Sequence, residues 1–253
     1  MSEPKLTAAK ADLTASHGTH DISRSAAIMA AMLAHEVKNP LSGIRGAAQL
    51  LRQRASEDDK PLADLICREV DRINTLINKI EFFSNEPVAC AESVNIHEVL
   101  QYVREVAHST FAAHVTIQSR YDPSLPDVRG DRELLVQLFI NLVKNAAEAL
   151  EGRDDGVITL KTGYQINHKF RIAGREPFIS LPIAITIEDN GGGIAPDLQS
   201  SIFDPFVTSK AQGNGLGLAI CAKIVGDHGG TIALDTSLAG HTRFHILLGV
   251  AKN

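Results

Sequence analysis

The stretch LPIAITIEDNGGGI, residues 181 to 194, decides the fold of this 253-residue chain. Its first nine residues, in which three isoleucines alternate with Ala184 and Thr186, predict a β-strand. The three glycines that follow Asn190 allow the backbone to come close to a bound molecule. The Asp189 carboxylate, where the strand ends, can accept a hydrogen bond from an exocyclic amine. The alternative interpretation is a tight turn after an edge strand.

The segments around this strand predict further helices and strands that do not alternate regularly. Asn95 and Glu98 form a capping-box pattern at the start of a helix, and Asp131 precedes another. A sheet with helices on one face, an α+β sandwich, is therefore expected. Helices are predicted at about 95–113, 131–150 and 216–227, and strands at 114–120, 157–163, 231–236 and 242–248. The form of residues 164 to 180 stays open.

The N-terminal third of the chain has a different pattern, with apolar residues at steps of three and four. Residues 1–24 are small, polar and charged, and we expect a mobile arm there. A helix is predicted from Ser25 to Arg54 and a second one after Pro61, and a short turn between them would make an antiparallel hairpin. The predicted domains are the hairpin at 25–88 and the α+β unit at 89–253, with a boundary near 86–95.

The second helix carries an apolar series that two helices alone cannot cover. We expect it to pair with a copy of itself, so that a homodimer forms a four-helix bundle. The alternative is packing against the rest of the same chain. The series contains Leu62, Ile66, Ile73, Leu76, Ile80 and Phe83, with Glu69 as its polar member.

Composition excludes several classes of protein. The chain is 44% apolar and has a net charge of −5 with its basic residues spread out, so direct nucleic-acid binding is not expected. No apolar run reaches the roughly 20 residues of a membrane span and no secretory signal opens the chain, so we expect a cytoplasmic protein without membrane insertion. Cys67, Cys90 and Cys221 are predicted to be reduced thiols.

Three further segments carry polar groups suited to chemistry. In LAHEVKNPLSGI (33–44), His35 and Asn39 share one helical face. An exposed imidazole there would be largely neutral and nucleophilic at neutral pH, and Glu36 could accept its proton. The alternative is an ordinary solvated surface.

Asn141, Asn145 and Glu148 lie at spacings of four and three on the polar face of a predicted helix. Carboxamide oxygens can coordinate a hard cation, and Mg²⁺ usually completes its coordination with water and phosphate. Two asparagines on a helix are otherwise ordinary surface residues.

The segment GNGLGLAI (213–220) precedes a helix and can present amide hydrogens to phosphates. It is neither a P-loop nor a dinucleotide fingerprint. Between it and the glycines of residues 191–193, FDPFVTSKAQ (203–212) places Lys210 in a polar stretch, which would suit a mobile cover over a nucleotide.

Together these segments resemble the histidine kinases of two-component signalling over residues 25 to 248, and more narrowly the nitrogen-regulation sensor kinases of the NtrB family. The family's five boxes occur in order. They are AHEVKNPLSGI (H box), NLVKNAAEAL (N box), EDNGGGI (G1 box), FDPF (F box) and GNGLGLAI (G2 box). The resemblance implies a helical dimerisation hairpin followed by an ATP-binding domain of the GHKL, or Bergerat, type.

The resemblance also implies roles for single residues. His35 would be the phosphoacceptor, Glu36 its general base, and Asn39 the residue that positions water in a phosphatase reaction. Asn145 would bind Mg²⁺ and Asn141 would lie beside the triphosphate of ATP. The remaining nucleotide contacts would come from Lys144, Asp189, Gly191, Gly193, Lys210, Gly213, Gly215, Leu216 and Gly217, with Asp189 reading the adenine amine.

The function implied is an ATP-dependent homodimeric kinase that phosphorylates His35 and passes the group to an aspartate of an NtrC-like response regulator. It would also reverse that modification, under the influence of a PII-type signal protein. Two alternatives stay open, a histidine kinase of another pathway and a non-catalytic dimeric module that senses ATP. An ATPase of the gyrase type is disfavoured, because Asn141 stands where such enzymes carry a glutamate base.

Overall fold

The structure is a computed structural model that describes residues 19–84, 92–165, 169–170, 179–210 and 213–251. Within these ranges, side chains are described from Glu36 onward, except at positions 80, 84, 169, 170 and 179. The predicted boundary near 86–95 falls largely on residues 85–91, which lie outside the described part.

The first two helices form the antiparallel hairpin expected from the sequence. Helix α1 spans Thr19–Arg54 and helix α2 spans Lys60–Ser84. Helix α1 starts six residues before the predicted Ser25, so the helix includes part of the expected arm, and residues 1–18 lie outside the described range. Arg45 pairs with Asp71 across the hairpin at 3.1 Å.

The hairpin buries one narrow seam and leaves a second apolar surface uncovered. Leu41 of α1 packs with Val70 and Ile77 of α2. Within the single chain, three members of the apolar series that was expected to meet a second copy are exposed, Leu62 by 61%, Ile66 by 40% and Ile73 by 40%. Large apolar residues exposed on the hairpin are Val37, Ile44, Leu50, Leu51, Leu62, Leu65, Ile66 and Ile73.

A five-stranded mixed sheet forms the centre of the C-terminal part. Its strands are β2 (Thr116–Arg120), β4 (Val157–Tyr164), β7 (Ile183–Asp189), β8 (Thr231–Asp235) and β9 (Thr242–Leu248), in the spatial order β2-β4-β7-β9-β8. Only the β2-β4 pair is parallel among these neighbours. The strand predicted before the three glycines, β7, is therefore the central strand of the sheet.

The sequence pattern did not predict two small strand pairs. Strand β1 (Glu92–Val94) pairs with β3 (Val128–Gly130), and β5 (Lys169–Phe170) pairs with β6 (Ile179–Ser180). Strands of two or three residues are too short for a recognisable alternation. The second pair lies in the region whose form the sequence left open.

Three helices cover one face of the sheet, as expected. They are α3 (Ile96–Thr110), α4 (Arg132–Ala149) and α5 (Gly217–Asp227). Asn95 caps α3 by accepting the His97 and Glu98 amides, and Asp131 caps α4 by accepting the Leu134 amide at 3.0 Å. Leu138 of α4 and Ile185 of β7 are fully buried in the core between the layers.

The end of α2 packs on this core. Leu76, Phe82 and Phe83 lie half-buried against it, and the ammonium of Lys223 on α5 lies 5.6 Å from the centre of the Phe82 ring. Part of the α2 apolar series thus packs within the same chain, and another part stays exposed. The alternative interpretation, packing within the same chain, is therefore confirmed for the end of the series, and the expected pairing with a second copy stays a prediction for the exposed part.

Two further expectations concern the whole chain. Within the described residues, Cys67 and Cys221 are free thiols, as predicted; Cys90 lies outside that part. Among the helices the structure describes, none combines the length and the apolar character needed to cross a bilayer.

Candidate active site

The predicted phosphoacceptor segment lies on helix α1. The His35 backbone is helical. Its side chain lies outside the described part, and so does the exposure that the sequence predicts for it. Glu36 and Asn39 are exposed on the following turn. The Ser42 hydroxyl donates to the Lys38 carbonyl at 2.9 Å, and Lys38 forms an ion pair with Glu81 of α2. This segment is therefore held to the second helix while its polar face meets solvent.

A cavity of about 360 Å³ lies between α4, the carboxyl end of β7 and the loop that leads to α5. It gathers most of the residues that the resemblance assigns to nucleotide binding. Those that line it are Asn141, Lys144, Asn145, Asp189, Gly193, Lys210, Gly213, Gly215 and Gly217. Residues from the N, G1 and G2 boxes, and Lys210 from the segment after the F box, thus meet at one place.

Asp189 reaches the cavity because of its position in the strand. Alternate residues of β7 share one face, which is turned toward the helices. This row consists of Ile183, Ile185, Ile187 and Asp189. Asp189 ends this row with its side chain 4% exposed, opposite Thr242 of β9.

The surroundings of Asp189 set its proton affinity. Burial raises the pKa of the Asp189 carboxyl, and hydrogen bonds from the Gly191 amide, at 2.9 Å, and the Thr242 hydroxyl only partly oppose that effect. A buried carboxylate favours a ligand that brings another donor. The site suits an amine.

Gly191 does not line the cavity. A β-carbon there would lie 2.8 Å from the Ala149 side chain and from Asp189 Oδ1, so only glycine allows this loop to pass the end of α4. Gly191 therefore affects the cavity only indirectly, through its contacts with Asp189 and the end of α4.

An apolar wall completes the end of the cavity near Asp189. The Phe203 and Phe244 rings meet edge to face at 6.2 Å between centroids, and Phe244 belongs to the lining. Such a wall suits a flat heterocyclic base. Its apolar members are Ile194, Leu198, Ile202, Val207, Leu218 and Phe244.

The other end of the cavity is lined by cations and amides. Lys210 forms an ion pair with Glu148 of α4, and its ammonium lies 3.5 Å from Asn145 Oδ1. Lys144 lies 4.0 Å from Glu148. Lys79 of α2 also lines this region. Lys144 and Lys210 share the Glu148 carboxylate, and with Lys79 in the same lining they make an end suited to a polyanion.

The glycine-rich segment crosses the FDPF segment closely. The Phe206 amide donates to the Gly215 carbonyl at 2.9 Å, and a β-carbon on Gly215 would lie 2.3 Å from the Phe206 carbonyl carbon. Both residues have positive φ, 64° at Gly215 and 70° at Phe206. Glycine is required at 215 because backbone meets backbone there.

The prediction that Leu216 contacts the nucleotide needs correction. Its side chain is 1% exposed and packs in the core, and it does not line the cavity. The Asn214 side chain accepts the Leu216 amide at 3.1 Å, and no side chain caps helix α5. Leu216 anchors the start of α5 while Gly217 and Leu218 face the cavity.

Asn141 sits where α4 meets α5. The Cys221 thiol of α5 lies against it, and burial raises the pKa of that thiol to about 12, although the hydrogen bond with Asn141 opposes the effect. Cys221 also donates to the Leu138 carbonyl at 3.7 Å. The thiol is thus held protonated, and it helps to fix the amide at the cavity wall.

Sequence reasoning missed Lys79, Thr242 and the apolar wall. The wall residues could have been suspected from apolar positions in the loop after the G1 box, and Thr242 from its place at the start of a strand. Nothing in the local pattern around Lys79 distinguishes it from a solvated lysine, because it reaches the cavity only through the packing of α2 on the core.

Comparison with known protein families agrees with this geometry. Residues 26–87 match the His Kinase A (phospho-acceptor) domain, and residues 130–252 match the Histidine kinase-, DNA gyrase B-, and HSP90-like ATPase domain. The first range covers the hairpin, and the second contains the lining of the cavity except Lys79.

Curated relatives extend the similarity over most of the chain. Two proteins named sensory histidine kinase/phosphatase NtrB, from Azospirillum brasilense and Rhizobium leguminosarum bv. phaseoli, are 51% and 50% identical over 92% and 91% of this chain. The chain spans 57% and 60% of their lengths.

Solved structures share the fold. Full-length ShkA, crystallised with AMPPNP, has a TM-score of 0.69 over 88% of this chain and 46% of its own, at 24% identity. The catalytic domain of histidine kinase ThkA has a TM-score of 0.51 at 28% identity, over 62% of this chain and 93% of its own. The five ordered motifs and the two domain matches agree: the chain carries the phospho-acceptor and ATPase domains of a histidine kinase, and it is similar to the NtrB proteins over most of its length.

Proposed function

We propose that the chain is an ATP-dependent protein histidine kinase that phosphorylates its own His35. The observation that carries this proposal is the meeting of Asn141, Asn145, Asp189 and Lys210 around one cavity, in a chain whose hairpin carries the H box. The relatives named histidine kinase/phosphatase support it.

In this proposal the adenine base lies against the apolar wall and gives its amine hydrogen to Asp189. The triphosphate extends toward Asn145, Lys144 and Lys210. Because Lys210 is already paired with Glu148, the arriving phosphates compete for an ammonium held in position. Domain motion then brings His35 to the terminal phosphorus.

The chemical step needs alignment and charge neutralisation more than covalent help from the ATP domain. An imidazole nitrogen of His35 forms a bond to the γ-phosphorus while the bond from that phosphorus to the bridging oxygen breaks and ADP leaves. Glu36 takes the proton from the ring. Asn141, an amide, has no basic group to activate water, which favours transfer to His35 over hydrolysis.

The donor groups suit Mg²⁺ in partnership with a nucleotide. Asn145 offers an amide oxygen and Glu148, one turn away, a carboxylate. Within the described residues no cluster of three or more His, Cys, Asp or Glu side chains could hold a metal ion, so phosphates and water would complete the coordination. The ion would neutralise charge on the phosphates.

We further propose a homodimer that transfers the phosphoryl group to an aspartate of an NtrC-like response regulator. Asn39, exposed one turn from His35, would position water for the reverse reaction on that regulator, and a PII-type protein would set the balance. Phosphotransfer profiling against several receiver domains tests the pathway. Faster transfer to an unrelated receiver would favour a kinase of another pathway.

Incubation with γ-labelled ATP tests the kinase itself. We expect acid-labile, alkali-stable label on the wild type, none on His35→Gln, and full label on His108→Gln, a matched change at an exposed histidine of α3. Nucleotide binding without label would instead indicate a non-catalytic ATP-sensing module. Label that persists in His35→Gln would contradict the assignment of His35.

A further inference from the structure

Lys79 stands apart from the rest of the cavity lining. All other lining residues lie between Asn141 and Phe244, whereas Lys79 comes from the last part of helix α2. The hairpin thus supplies one cation to a cavity that the C-terminal part otherwise builds alone.

The position of Lys79 follows from the way α2 docks. Leu76 and Phe82, each three residues away along the helix, pack against the core of the C-terminal part. Side chains three apart lie on the same helical face, so Lys79 points toward the same partner. The docked helix holds the ammonium at the phosphate end of the cavity.

The charges around Lys79 are unbalanced. It is half-buried, it lies near the Lys144 ammonium, and it forms no ion pair within the part of the chain that the structure describes. Burial, and after it the Lys144 charge, lower the pKa of the Lys79 ammonium. Two neighbouring cations at the edge of a polar cavity are stabilised by an anion placed between them.

We propose that Lys79 is a phosphate-binding residue of the nucleotide site, supplied by the hairpin, so that docking of α2 and binding of the nucleoside triphosphate strengthen each other. This inference rests on the proposed ATP binding. Reciprocity follows from linkage, because a ligand that contacts only the docked arrangement must favour it.

Titration calorimetry with ATP and with adenosine tests the contact in the full chain. We expect Lys79→Gln to weaken ATP binding about tenfold, as for loss of a charge-assisted hydrogen bond. Adenosine, which has no phosphate, should bind both proteins equally. Lys79→Arg should restore part of the ATP affinity, because the charge returns.

Lys60→Gln is the matched control. It removes one positive charge from the first residue of the same helix, where Lys60 pairs with Glu57, and should leave ATP affinity unchanged. Equal ATP affinities for wild type and Lys79→Gln would overturn the inference alone. A wild type that binds no ATP would overturn the proposed function, and this inference with it.

A double-mutant cycle tests the coupling to docking. Phe82→Ala removes a ring that holds α2 on the core and should itself weaken ATP binding. If docking delivers Lys79, adding Lys79→Gln to Phe82→Ala should cost much less than tenfold. Fully additive losses would overturn the coupling.

Discussion

The hairpin and the sheet unit solve the burial problem differently. In the sheet unit, Leu138, Leu142 and Ile185 are fully buried within the one chain. In the hairpin, Leu41, Val70 and Ile77 form a thin seam, while residues such as Leu62 stay largely exposed. The sheet unit is complete as a core, whereas the hairpin presents an apolar surface that calls for a partner.

The hairpin and the sheet unit also differ in how deeply their polar groups are buried. In the hairpin, the cross-helix ion pair of Arg45 with Asp71 is about half exposed and contributes little to stability. In the sheet unit, the Asp189 carboxyl is buried at the cavity. The buried polar group thus lies at the cavity of the sheet unit, where the fold shields it from water. The hairpin contributes Lys79 to the lining of the same cavity.

The largest expected effect tests the completeness of the sheet core. Phe139→Ala empties a fully buried site on α4 and should lower the free energy of unfolding by about 3–5 kcal/mol. Urea unfolding followed by tyrosine fluorescence measures it selectively, because the chain has no tryptophan and its three tyrosines, Tyr102, Tyr121 and Tyr164, all lie outside the hairpin.

Leu238→Ala is the control for this measurement. Leu238 is 43% exposed in a loop, and its truncation should change the free energy of unfolding by less than about 0.5 kcal/mol. Similar losses for both variants would mean that the sheet unit does not depend on its core as described.

The next effect tests the need of the hairpin for a partner. Ile73→Ser polarises an exposed apolar position of α2. In a symmetric dimer each change counts twice, and about 1 kcal/mol per copy would raise the dimer dissociation constant about thirtyfold. Sedimentation equilibrium measures it, with Leu238→Ser, an exposed leucine outside the hairpin, as the control. An unchanged dissociation constant would remove α2 from the interface.

Local sequence signals were sufficient where structure is set locally. The caps at Asn95 and Asp131 and the seven-residue strand before the glycines are found where they were predicted. Helix α3 ends at Thr110, about three residues early. The last turn of a helix frays easily, so the end of a helix is harder to predict from sequence than its centre.

Features that depend on packing between distant parts of the chain could not be predicted from the sequence. The glycine and asparagine motifs identified most of the cavity, since each carries a backbone or ligand requirement in its own residue type. Leu216 was misassigned because the position of a residue in a motif does not show the direction of its side chain. Lys79 was missed because its role depends on contacts between Phe82 and a core formed by residues far along the chain.

A smaller effect tests one of those local signals within the sheet unit. Asn95 accepts the His97 amide at 2.9 Å at the start of α3. Asn95→Ala should lower the free energy of unfolding by about 1 kcal/mol, and Asn95→Ser should keep most of it, because serine also caps. Tyrosine fluorescence again follows this unit. Equal stability of the alanine and serine variants would show that the cap contributes nothing.

The smallest effect concerns the pH dependence of the sheet unit. Burial raises the pKa of Asp189 above its unfolded value, so the folded state binds this proton more tightly than the unfolded state. Stability contributed by Asp189 is therefore greatest below the unfolded pKa, near 4, and falls as pH rises through the folded pKa. Glu188, whose pKa is lowered by Lys161 and Arg243 against the effect of burial, acts in the opposite sense, so the whole-chain profile hides the signal. The difference between wild type and Asp189→Asn isolates it: wild type should lose stability relative to the variant across that interval. Saturating ATP should shrink this difference, because the adenine amine favours the ionised carboxylate, and parallel profiles without nucleotide would mean that the carboxyl titrates as it does in water.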